Sequence, residues 1–420
     1  MTTNRLPAAT LLLITGDAVS SLGNGLVLPL TLIYLHQVRG MALPVVGALL
    51  ALSAGVGLIA VPLAGVLLDR VGARPVLATV LTGQAIAYTG LAWAHSVATA
   101  LPALLVLGAS MAPFFPAFTM LLAGINPQPH LQQRAFALNF TVLNACIGIG
   151  GGIGAAVANV HHPGTFQLLF LADALSGLLF AALLFLVPNP RQPHEPHQPR
   201  EARAGYRDVL AHRGLRTVMI ASLLLAFTGY AALDSGLPAY ATVKAHVTVH
   251  TVALAISVNT AVIVAAQLVV LRLMRVLRRS RALAAVGLIW GISWAVFGLA
   301  ALPGSAALRI TCVFTFAGLF GLGETFMAPT VGPLVNSLAE ERIRGRANAL
   351  SSVTYSVAFV VSPAISTGMI ASGLSALWIG LLCLGCLGTA LLAVRLGRQL
   401  PPGQDRVQPS AEAAPEPASV

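Results

Sequence analysis

The sequence predicts an all-α membrane protein of twelve transmembrane helices, divided six and six by a polar linker. Three observations carry this. The 420 residues are 57% hydrophobic and 9% charged, with a mean hydropathy of +0.84, too apolar for a core wrapped in a solvated shell. Apolar stretches of about 20 residues or more, the length that crosses a bilayer, recur along the chain. Finally, the cationic side chains fall almost wholly on alternate turns between those stretches.

The expected spans are residues 9–36, 43–68, 75–95, 98–123, 134–159, 164–187, 215–242, 249–271, 281–302, 306–336, 346–370 and 373–396. The first is longer than the apolar core of a signal peptide and contains Asp17, so it stays as a span. After the sixth, the Pro-, His- and Arg-rich stretch 188–213 reads as a cytoplasmic linker between an N-terminal six-helix bundle, 1–187, and a C-terminal one, 214–397. The composition of 398–420 has too little apolar surface for a packed core and is expected to be a disordered cytoplasmic tail.

Topology also accounts for the formal charge of +11. With the N-terminus inside, all but Arg39, Lys244 and Arg309 of the 24 Lys and Arg residues face the cytoplasm, which places both termini there. No nucleic-acid partner is needed and no such motif occurs. Cys146, Cys312, Cys383 and Cys386 all lie inside apolar runs, suggesting neither disulfides nor zinc. His194 and His197 read as surface linker residues rather than a metal pair.

The most informative turn is Gly65-Val-Leu-Leu-Asp69-Arg70-Val-Gly72-Ala-Arg74, between the second and third spans. Gly65 would let a neighbouring helix approach, Gly72 suits a sharp reversal, and Asp69, Arg70 and Arg74 put charge at the water boundary. Pro75 fits the first turn of the next helix. The turn's position and its Gly-x-x-x-Asp-Arg-x-Gly-x-Arg pattern resemble the signature loop of the major facilitator superfamily, a family of secondary transporters. The corresponding turn of the second half, Leu271 to Arg281, keeps arginines but has no acid or glycine.

The resemblance implies two six-helix bundles around a mid-membrane cavity that opens alternately to either side. It also implies that the 65–74 loop latches the cytoplasmic face, with Asp69 held by Arg344 or Arg346 at the start of the eleventh helix.

Four carboxylates fall within spans: Asp17, Asp173, Asp234 and Glu324. An ionised group at the bilayer centre costs about 3 kcal/mol even on lenient scales, so each is expected to be a site, a partnered group or a neutral acid. Glu324, in Gly321-Leu-Gly323-Glu324-Thr-Phe-Met-Ala-Pro329, lies mid-way along the tenth span, which lines the cavity in the superfamily pattern. This stretch resembles bacterial drug:proton antiporters and makes Glu324 the expected proton-coupling residue, with a purely structural acid as the alternative. Asp17 shares a helix face with Ser20, Ser21, Asn24 and Thr31. It suits proton transfer, attraction of a cation, or a gate contact. Asp234 is grouped with Glu324 and Asp17 as a proton-coupling candidate, and by its place in the outer half of the seventh span it belongs to an outer vestibule or pairs with Lys244 or Arg309; Asp173 suits a structural hydrogen bond.

The run Gly148-Ile-Gly150-Gly151-Gly152-Ile-Gly154 resembles the antiporters' glycine-rich fifth helix, though Gly151 stands where proline is usual. It is expected to pack Gly150, Gly151 and Gly154 against a helix of the other half. Those antiporters often carry an arginine four residues before a glycine in the fourth helix. Here Leu104 stands four before Gly108, and Pro113 and Pro116 are expected to kink the helix. Asn259 and Gln267 share one face of the eighth span and either meet substrate or bridge helices. With Asn24, the aromatics Phe114, Phe115, Tyr230 and Phe326 are candidates for an apolar cavity wall.

Together these readings predict a monomeric, proton-coupled secondary transporter of the bacterial cytoplasmic (inner) membrane. It would export a small hydrophobic or drug-like molecule without a cofactor, using protons as coupling ion. No nucleotide-binding loop or catalytic constellation is present, so neither ATP-driven transport nor an enzyme is expected. An importer of a small metabolite and a substrate-binding or lipid-handling membrane protein are the alternatives.

Overall fold

The computed structural model describes residues 6–28, 30–189, 206–274, 276–327, 329–400 and Asp405. Among these residues the fold is all-helical, with twelve helices long and apolar enough to cross a membrane. They are α1 (Ala8–Val38), α2 (Leu43–Val71), α3 (Ala73–Ala92), α4 (Val97–Ile125), α5 (Leu131–Val157), α6 (Pro163–Leu186), α7 (Arg213–Val243), α8 (Val249–Gln267), α9 (Arg279–Leu299), α10 (Ala306–Leu338), α11 (Gly345–Ala371) and α12 (Ser375–Gln399). Most of the expected linker, from 190 to 205, and most of the expected tail lie outside the described residues.

Hydropathy places the spans well because oil leaves the backbone no alternative to internal hydrogen bonding. α1 to α6 pack mainly on one another, as do α7 to α12, and two main seams join the groups: α2 against α11 and α5 against α8. Contacts across these seams lie toward the end remote from the chain termini. Gly47 meets Thr367 and the Pro363 carbonyl, and Gly148 meets Thr260. Ser257 Oγ donates to the Gly148 carbonyl at 2.9 Å, and His250 Nδ1 to that of Ala155 at 2.8 Å. The second part of α1 also touches the second part of α7 at this end.

Two helices that border the centre are interrupted. α1 ends its first α-helical run at Val27 and finishes as a π-turn over Tyr34–Val38. α7 carries a π-turn over Phe227–Ala231, with Gly229 at φ −99°, ψ −108°. A broken ladder frees carbonyls, and the freed Thr228 carbonyl accepts from Trp294 Nε1 at 2.6 Å. Trp294 stands in an aromatic core with Trp290, Phe297, Phe316, Phe320 and Trp378. The other half has a smaller aromatic core, in which Tyr34 stacks on Phe166 and sends its hydroxyl to the Ala92 carbonyl at 2.8 Å. Trp294 and Tyr34, both buried, thus keep their polar atoms satisfied.

The two halves also tie down their third helices alike. Gly72, at φ 87°, makes the reversal before α3. Beyond α6, Asn189 Oδ1 accepts from Arg74 N at 3.3 Å, while Arg74 Nη1 donates to the Val187 carbonyl at 2.9 Å. Beyond α12, the fully buried Asp405 accepts from Ser280 N at 2.8 Å and from Ser280 Oγ at 2.7 Å, capping α9. The residue before α9, Arg278, makes no side-chain cap of its own. A position inside the stretch expected to be disordered is therefore packed, because four orphan N–H groups at a helix start need acceptors.

Candidate functional site

Between the halves lies a cavity of about 560 Å³, within the range of small-molecule sites. Its wall is mostly aliphatic and includes Leu28, Leu32, Leu50, Leu107 and Ile256. Polar groups are few: Asn24 and Thr31 on α1, Ser53 on α2, Tyr88 on α3, Tyr230 and Asp234 on α7, and Tyr355 and Ser356 on α11. The contacts at Gly47–Thr367 and Gly148–Thr260 stand beyond it, toward the end remote from the termini.

Glycine spacing explains how Glu324 reaches this centre. A side chain at Gly321 would run into the Asn259 carbonyl at 2.5 Å, and one at Gly323 would collide with the Trp290 indole. The bare backbone at both positions lets α10 close on α8 and α9. Asn259 Nδ2 then donates to Glu324 Oε2 at 2.8 Å, and the Tyr230 hydroxyl hydrogen-bonds to the same carboxyl. Trp290 fills the space left by Gly323 and by Gly229 of α7, and its Nε1 donates to the Phe320 carbonyl at 2.9 Å. Glu324 is half-buried and stands behind Tyr230, which faces the cavity.

Asp234 differs. It lines the cavity, is accessible from it, and has no hydrogen-bond or ion-pair partner among the described residues. The expected pairing with Lys244 or Arg309 does not form. Its accessibility belongs to the cavity, whose wall it helps to form.

Several other expectations are corrected. Asp17 is 2% exposed and lies against Asn139 of α5 inside the first bundle, not on the cavity wall. Seven residues separate it from Asn24, so both share a helix face, yet α5 covers one and the cavity receives the other. Asn259 bridges α8 to α10 rather than lining the cavity. Gln267 is half-buried and also off the wall, with its Oε1 unpartnered. Phe114 stacks on Phe118, with ring centroids 5.9 Å apart, and Phe326 is buried in the second half's core. Phe115 is 71% exposed on the outer surface. Asp173 accepts from Ser176 Oγ at 3.4 Å, an intrahelical hydrogen bond beside Gly23 of α1.

The α5 glycines divide between two interfaces. Side chains at Gly150 and Gly154 would strike the Leu22 and Leu26 carbonyls of α1 in the same half, whereas Gly151 faces Ser257 of α8 in the other. At 3.6 residues per turn, positions 150 and 154 share one face and 151 is rotated off it, so only Gly151 of the three meets the expected partner. No helix closes on Gly65, where a side chain would enter open space. Asp69 and Arg70 are exposed, Arg74 is tied to its own half, and Arg346 is partly buried. The Arg344 side chain lies outside the described residues.

Tyr88, Tyr355, Ser53 and Ser356 are cavity residues that sequence reasoning missed. Tyr88 and Ser53 stand in mostly apolar runs and Tyr355 and Ser356 are neighbours in a polar stretch of α11, and no spacing marks any of them. Leu104 and Gly108, singled out for the arginine that is not there, both line the wall. Ser53 Oγ donates to the Leu104 carbonyl at 2.6 Å, drawing α2 onto α4 there.

The family model of the Major Facilitator Superfamily matches residues 13–319 and 244–420, and so nearly the whole chain. The chain belongs to the major facilitator superfamily. Among curated relatives, the uncharacterized MFS-type transporter YttB of Bacillus subtilis (strain 168) is 26% identical over 183 residues, 43% of this chain and 44% of its own length. The match thus spans less than half of that relative. Among solved structures, a nucleoside transporter, NupG, superposes with a TM-score of 0.72 at 12% identity, covering 93% of this chain and 99% of its own. The D-xylose-proton symporter gives 0.70 at 15%, covering 95% and 99%. XylE from E. coli, a xylose transporter in its inward open conformation, gives 0.69 at 15%, covering 93% and 95%. At these identities the likeness establishes the fold. This major facilitator chain is therefore a multi-pass membrane protein with two six-helix halves, and its cavity lies on the seam between them.

Proposed function

We propose that this chain is a proton-coupled transporter and exports small hydrophobic compounds by alternating access. It would do so as a monomer in the bacterial cytoplasmic membrane, with both termini inside. The arginine distribution gives the orientation. In that orientation, a cavity sealed beyond Gly47 and Gly151 corresponds to the inward-facing state, and the exposed Asp69 to an open latch.

The observation that carries the proposal is Glu324, held by Asn259 and Tyr230 at the edge of a mostly aliphatic cavity. The arrangement suits both protonation states. Asn259 Nδ2 and the Tyr230 hydroxyl donate to the carboxylate, and after protonation the Tyr230 oxygen can accept from the carboxyl O–H. A proton taken up outside is carried in with the empty protein, and its release frees the site for cargo. Import of a polyhydroxylated metabolite fits less well, because so few wall groups could replace its bonds to water.

Everted membrane vesicles holding an imposed proton gradient test the proposal. Addition of hydrophobic toxicants should dissipate the gradient in vesicles carrying the native chain and leave it intact with Glu324→Gln. An undiminished response in that variant removes Glu324 from the coupling step.

A further inference from the structure

We propose that Asp234 is the counter-ion for cargo and that the transported compounds are amphipathic monocations, an apolar body carrying one ammonium-type charge. The inference rests on the export reading and divides labour between two acids that the sequence presents alike: Glu324 handles the proton and Asp234 the cargo.

Among the described residues that line the cavity, Asp234 alone is charged; no Lys, Arg or His shares the wall. Its carboxyl is accessible from the cavity and has no hydrogen-bond or ion-pair partner among the described residues. Glu324, by contrast, is already held by Asn259 and Tyr230 and stands behind the wall. An unpartnered carboxylate at membrane depth is costly, and a bound cation relieves that cost, whereas an anionic cargo would increase it.

The surrounding groups suit the same ligand. Tyr88, Tyr230, Tyr355 and Phe359 contribute aromatic rings to the wall, and such rings attract ammonium groups through their faces. Tyr88 of the opposite half shares the cavity wall with Asp234, so a cation between them would contact both bundles. Tyr230 stands four residues before Asp234 and hydrogen-bonds to Glu324. Cargo seated at Asp234 would therefore press on the group that positions the proton carrier.

The test uses the purified full-length chain in detergent micelles, with binding of radiolabelled tetraphenylphosphonium and of radiolabelled neutral triphenylphosphine oxide measured separately by equilibrium dialysis. The native protein should favour the phosphonium. Asp234→Asn should weaken its binding about tenfold or more, the scale of losing one partly desolvated charge interaction. Triphenylphosphine oxide binding should stay unchanged in that variant, which reports that the cavity is intact, and Asp234→Glu should restore the preference. Glu324→Gln should keep the preference for the phosphonium over the oxide while failing to dissipate a proton gradient. Equal phosphonium affinity in Asp234→Asn, or no preference for the cation in the native chain, overturns the proposal. A cation preference that depends on Asp234, without any proton-gradient response in the native chain, supports the cargo site and overturns the export reading alone.

Discussion

Glu324 and Asp234 show how little a residue's identity says until its neighbours are known. Both are carboxyls in apolar runs, yet one receives two donors and the other faces an open cavity without a partner. What separates them is Gly321-Leu-Gly323, whose bare backbone admits Asn259 and Trp290. Gly323→Val should therefore displace Trp290 and with it Glu324. Destabilisation of about 1–3 kcal/mol, the usual cost of overpacking, is expected in thermal unfolding, together with loss of proton-coupled activity. A milder probe is Trp290→Phe, which keeps a ring but gives up the Nε1 bond to the Phe320 carbonyl. It should cost about 1 kcal/mol or somewhat more, and native-like stability would show that the bond contributes nothing net.

At the scale of the element, each third helix is held at its start by a residue lying beyond the sixth helix of its half. Asn189 serves α3 and Asp405 serves α9. The arginine-rich α8–α9 turn, which has no acid of its own, thereby receives one from the end of the chain. Truncation after Leu400 should lower stability by about 1 kcal/mol, the typical worth of an N-cap, and raise amide exchange in the first turn of α9 while leaving α3 unchanged. Equal exchange with and without the tail would show that Asp405 does not cap the helix in the membrane. The α5 glycines belong to this scale too. Gly150→Ala should destabilise the first bundle through the Leu22 carbonyl, whereas substitutions at Gly151 should act on the seam between halves.

For the whole molecule, the proposed alternating-access cycle makes the seams at α2–α11 and α5–α8 the contacts that decide which face is open. In a background without the four native cysteines, a Gly151→Cys, Ser257→Cys pair is close enough for a disulfide, since a Cβ at 151 would lie 3.2 Å from Ser257 Oγ. Oxidation should arrest transport in the inward-facing state, and reduction should restore it; transport that continues under oxidation would show that α5 and α8 need not part. Asp69→Asn should weaken the closed latch and raise labelling of cysteines near the termini end, and unchanged labelling would argue against the latch.

The fold was largely legible in the chain. Spans, their number and the arginine asymmetry follow from the requirement that backbone and charge be accommodated in oil, and that requirement acts on each segment separately. The location of Glu324 mid-span was legible for the same reason. The partition of acids was not. Asp17, Ser20 and Asn24 read as one polar stripe, but α5 covers Asp17 while the cavity receives Asn24. Likewise, a run of glycines marks close packing without saying against which helix. A sequence period gives the angle of a residue about its own axis; what lies at that angle is set by other helices, sometimes more than a hundred residues away. By itself, then, the sequence determined twelve spans, their orientation preference and the acids that oil must tolerate. Only the packed structure decided which acid is held, which faces the cavity and which is buried between helices, because those outcomes depend on distances between elements that no local pattern encodes.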